Sequence, residues 1–63
     1  MDLSLLKTLR KQKGVTLKDM SRSIGVSSDR LGLIERGKVN PSFETVKAIV
    51  EYLGYKLTVS IVV

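Results

Sequence analysis

The chain has 63 residues, no cysteine, no histidine and a formal net charge of +5. Disulfide frameworks and the usual zinc sites are excluded, and a domain this small buries only about 60 % of its unfolded surface. No apolar run approaches the roughly 20 residues that a membrane helix needs, and the N-terminus has no signal-peptide pattern, so a reducing, cytoplasmic compartment is expected.

In chain order, Leu5, Leu6 and Leu9 form a narrow apolar stripe for a first helix over about Ser4 to Lys13, with Asp2 or Ser4 available as a cap and Gly14 as its stop. The basic cluster Lys7, Arg10, Lys11 and Lys13 lies toward its negative end, which suits Lys11 and Lys13 structurally. Thr16-Leu17-Lys18-Asp19 is a second helix start: a capping hydroxyl followed by an acid three residues on. Leu17, Met20 and Ile24 share one face, and Gly25 supplies the residue that ends such a helix. Ser27 caps a third helix, whose apolar pair is Leu31 and Ile34 and whose stop is Gly37. Pro41 pushes Asn40 out of helical geometry. Ser42 then caps a fourth helix with Phe43, Val46, Ile49, Val50 and Leu53 on one core face, ended by Gly54.

Residues 55–63 read as a strand. Leu57, Val59, Ile61 and Val63 face one way, and Lys56, Thr58, Ser60 and Val62 the other. No other segment offers a partner strand, and an unpaired apolar edge is a liability. Pairing with the same strand of a second copy around a two-fold axis resolves it; the alternative is a tail lying on its own core. The expected organisation is therefore mainly α: a four-helix domain over 1–54 and a dimerisation strand over 55–63.

Residues 1–40 hold nine Lys or Arg against four acids, whereas 41–63 balance to zero. A polyanion partner at the basic half and a merely solubilising surface both fit that asymmetry. No catalytic constellation is visible. The carboxylates are scattered, Ser27 and Ser28 have no base beside them, and the glycines form no phosphate loop, so neither an enzyme nor a metal or cofactor site is expected.

The run from Thr16 to Gly37 resembles the helix-turn-helix of the phage-repressor and Cro class, the XRE family. The resemblance is carried by Thr16, Leu17 to Met20, Ser21, Ile24-Gly25-Val26-Ser27, Leu31, Ile34-Glu35-Arg36-Gly37-Lys38 and Asn40-Pro41-Ser42. It implies a lambda-repressor-like fold, double-stranded DNA as partner, and a third helix lying in the major groove. The positions it places toward base edges are Ser28, Asp29, Gly32 and Leu33, with Ser27 and Arg30 at the margin. Serine bonds several bases, aspartate accepts from cytosine, and leucine touches a thymine methyl. Ser27 is also a cap, and Asp29 also suits a helix N-terminus. Phosphate contacts are expected from Lys18, Arg22, Arg36, Lys38 and Asn40, joined by the free N–H groups opening the second helix.

The resemblance further implies an ion pair between Arg10 and Glu35. Many members carry glutamine where this chain has Leu17, so that phosphate contact is not carried over. The terminal strand is similar to that of HipB-type antitoxin repressors. The leading expectation is a homodimeric, sequence-specific regulator, a repressor reading an inverted repeat. The alternatives are an antitoxin that also binds a toxin protein, and an interaction module that has lost DNA specificity.

Overall fold

The structure, a computed structural model, describes residues 3–57. These form four helices: α1 (Ser4–Gln12), α2 (Leu17–Ile24), α3 (Ser28–Glu35) and α4 (Phe43–Tyr52). Each is about two to three turns long, too short to persist alone in water, so packing holds them. The helix α2 lies against both α3 and α4, and α1 against α3. Leu6, Met20, Leu31, Ile34, Ile49, Val50 and Leu53 form the shared core, contributed by all four helices and the residue after α4.

Local chemistry sets most of the helix ends. Thr16 Oγ1 accepts the Asp19 N–H at 3.1 Å, while the Asp19 carboxylate accepts the Thr16 N–H at 3.5 Å, a reciprocal capping box. Ser27 Oγ accepts the Arg30 N–H at 3.2 Å, and Ser42 Oγ the Thr45 N–H at 3.1 Å. The start of α1 differs from the expected one. Leu3 stands at its N-cap with no side-chain cap, Ser4 is already helical, and Asp2 lies outside the described residues.

The turn between α2 and α3 needs Gly25. Its φ of 75° is left-handed, and a Cβ there would meet open space, so the requirement is conformational and not steric. At the end of α3 the chain closes in a Schellman motif: the Gly37 N–H donates to Ile34 O and the Lys38 N–H to Leu33 O. This motif leaves Arg36 at the C-cap of α3.

Two expected core residues are not in the core. Leu5 is 49 % exposed and Phe43 is 54 % exposed, each at the edge of its helix's apolar stripe. Phe43 is the first residue of α4 and stays exposed there. Residues 55–57 run on without regular secondary structure. The Lys13 ammonium sits over the Tyr55 ring, 5.3 Å from its centroid, and Leu57 packs against the core. The rest of the expected strand, including Val59, Ile61 and Val63, lies outside the described residues.

Ser42→Ala should cost about 1 kcal/mol, because it strips the cap from α4. In a domain of this size that is a fall in Tm of about 4–8 °C by circular dichroism. A shift under 1 °C would mean that the Ser42 hydroxyl does not hold the start of α4.

Candidate nucleic-acid interface

The cap on Thr16 and the turn at Gly25 bring the start of α2 beside α3, leaving a cleft of about 300 Å³ between them. Its lining is Leu17 from α2 with Ser28, Asp29, Gly32 and Leu33 from α3 and Arg36 from the C-cap. Four of the five positions expected to face base edges therefore meet in one place. Asp29 is exposed, and Ser28 and Leu33 are half-buried. Ser27 does not line the cleft; its hydroxyl is engaged as the α3 cap.

Gly32 departs from expectation: in place of an exposed position, the fold gives a buried one. Its cover is the Arg36 side chain: Nη1 lies 3.4 Å, and Leu17 Cδ1 3.6 Å, from where a Cβ on Gly32 would stand. Bare backbone here makes room for a guanidinium that folds back along the helix. Sequence reading missed Leu17 and Arg36 as members of this cleft. The available signal was the spacing of Ser28, Gly32 and Arg36 at four-residue intervals, which shares a helix face.

The remaining basic side chains lie outside the cleft. Lys18 and Arg22 are exposed on α2, and Lys38 is exposed just past α3. Asn40 is exposed but lines a different cleft, of about 350 Å³, with Leu3, Pro41, Phe43, Val46 and Leu57.

Arg10 belongs to neither cleft. It is buried, 9 % exposed, and its fork is used internally. Nε donates to Glu35 Oε2 at 2.7 Å and Nη2 to Glu35 Oε1 at 3.1 Å, while Nη1 donates to Val15 O at 2.8 Å. This bidentate pair ties α1 and the α1–α2 turn to the last residue of α3. It fixes the end of α3 from which Arg36 and Lys38 project. It also removes one positive charge from the surface, leaving Lys18, Arg22, Arg30, Arg36 and Lys38 as the exposed cations of α2, α3 and the loop after α3.

Residues 6–59 match the family profile described as "Helix-turn-helix". Among curated proteins the chain is 37% identical over 49 residues to the HTH-type transcriptional regulator DdrOP3 of Deinococcus deserti. That match covers 78% of this chain but 38% of the relative, so the chain spans well under half of that protein's length. No solved structure matches the chain at comparable significance. No helix among the described residues is long and apolar enough to cross a membrane.

Proposed function

The chain belongs to the XRE-type helix-turn-helix family, and from that premise we propose that it is a dimeric transcriptional repressor reading an inverted repeat through α3. Both comparisons point to a DNA-binding regulator and not to an enzyme. The observation that supports the reading is the α2–α3 cleft: Ser28, Asp29, Gly32 and Leu33, the positions expected to face base edges, line it, and Lys18 and Arg22 on α2 and Lys38 past α3 are exposed without acid partners among the described residues. In this reading α3 enters the major groove. Ser28 bonds a base edge, Asp29 accepts from a cytosine amino group, and Leu33 meets a thymine methyl. Lys18, Arg22 and Lys38 hold the phosphates.

The dimer reading rests on a second observation. Leu57, where the expected strand begins its apolar alternation, lies in the cleft with Leu3, Pro41, Phe43 and Val46. That surface is apolar, includes the most exposed large hydrophobic residue described, and suits a second copy of the chain. Two copies so joined would address half-sites about one helical turn, roughly 34 Å, or a multiple of it apart.

Selection of bound duplexes from a random DNA pool at near-physiological salt tests this. The expected result is an enriched palindrome. Lys38→Glu should then weaken binding to every duplex and flatten the salt dependence, whereas Ser28→Ala and Asp29→Ala should change which bases are preferred. No enriched sequence, with only weak salt-sensitive binding, would replace the regulator with an interaction module. Identical behaviour of the two classes of variant would remove α3 from the groove.

A further inference from the structure

Within that regulator reading, on which this inference rests, we propose that Arg36 is a base reader and not a phosphate contact. Its target is the paired O6 and N7 acceptors of a guanine in the major groove. Side chains of a helix lean toward its N-terminus, so a residue covers the turn before its own Cα. Arg36 does this to Gly32. Its Nη1 and Nη2 stand 3.4 Å and 4.0 Å from the place a Cβ would take. The guanidinium is carried one turn back from the end of α3, into the cleft lined by Ser28, Asp29 and Leu33. A phosphate clamp would extend the other way, outward from the helix end into solvent.

Two further features agree. Among the described residues the Arg36 guanidinium has no carboxylate or carbonyl partner, so its donors are available to a ligand. A planar fork matches the two adjacent acceptors of guanine, and no other base presents that pair in the major groove. The notch is also costly to the helix. Glycine inside α3 is a poor helix former, and here a side chain larger than a methyl would take the space the guanidinium occupies. Arg30, the arginine within α3, does not line the cleft, so the bidentate fork there comes from the C-cap. Asp29, in the same cleft, supplies the acceptor suited to a cytosine amino group.

The test compares wild type, Arg36→Ala and Gly32→Leu in selection from a random duplex pool, followed by titration of the enriched duplex. Wild type should enrich a guanine at one fixed position of each half-site. Arg36→Ala should lose discrimination at that base pair by about ten-fold or more while keeping the other preferences. Gly32→Leu fills the notch with the arginine still present and should lose the same preference. Placing 7-deazaguanine at that position removes N7, which should weaken wild type and leave Arg36→Ala unchanged. If Arg36→Ala weakens all duplexes alike with preferences intact, and the salt slope drops by about 0.9, Arg36 contacts phosphate and the assignment falls. It falls equally if Arg36→Ala binds as wild type does. If wild type enriches no sequence, the regulator reading itself fails, and this assignment fails with it.

Discussion

Arg10→Ala is expected to lower the unfolding free energy by about 3–5 kcal/mol, the cost of leaving a buried charge without its partner. A 63-residue domain has roughly 3–9 kcal/mol to lose, so the variant should be substantially unfolded at 37 °C. The size of the effect follows from burial. The Arg10 and Glu35 side chains are 11% and 6% exposed, so water can satisfy neither when the other is gone. The Val15 carbonyl loses its donor as well. Urea denaturation followed by circular dichroism measures it. Replacing both charges, Arg10→Met with Glu35→Leu, should recover more than half of the loss, because no charge is then stranded. A single-variant loss below about 1 kcal/mol would show that the pair behaves as an ordinary surface ion pair.

If the chain dimerises through its terminal segment as proposed, removing the residues after Leu57 should give monomers and reduce affinity for the selected palindrome by about 10²–10⁴-fold, the usual gain from linking two binding units. The cut belongs there because Leu57 packs on the core and Tyr55 sits under Lys13, so an earlier cut would remove contacts of the folded domain itself. Sedimentation gives the oligomeric state, and fluorescence anisotropy on a palindrome and on a single half-site gives the affinity. The truncated chain should bind the palindrome little better than the half-site. A truncated chain that remains dimeric would move the interface away from the segment with Val59, Ile61 and Val63.

Features written in adjacent residues are legible in the sequence alone. Thr16 with Asp19, Ser27 and Ser42 mark three helix starts, and the hydrogen bonds at those starts span three residues each. Gly25 marks the turn because its φ is a local property of the backbone. Periodicity is a weaker guide at the margins of each stripe. It groups Leu5 with Leu6 and Phe43 with Val46, yet only Leu6 of the four is fully buried, since coverage depends on what packs across the helix.

The candidate site divides in the same way. The residue types along α3, and the concentration of positive charge in the first 40 positions, are sequence properties that direct attention to a polyanion. Residue type and local pattern alone do not give the fate of each charge; the Arg10–Glu35 pair comes only from the family resemblance, and the place of Arg36 from neither. Arg10 and Arg36 are both arginines near Glu35, in space or in sequence. Tertiary packing buries one against that carboxylate and leaves the other lying over Gly32 with its donors unpaired among the described residues.

By itself, then, the sequence determined the four helices, the caps of α2, α3 and α4 and the break between α2 and α3, because these depend on contacts within one turn of chain. The Arg10–Glu35 pair is one that the family resemblance already implied; only the tertiary structure decided that Gly32 is covered, that Leu17 walls the cleft, and that Arg36 lies over Gly32. Those outcomes depend on side chains of different elements competing for the same space and the same partner, and no short stretch of sequence contains both competitors.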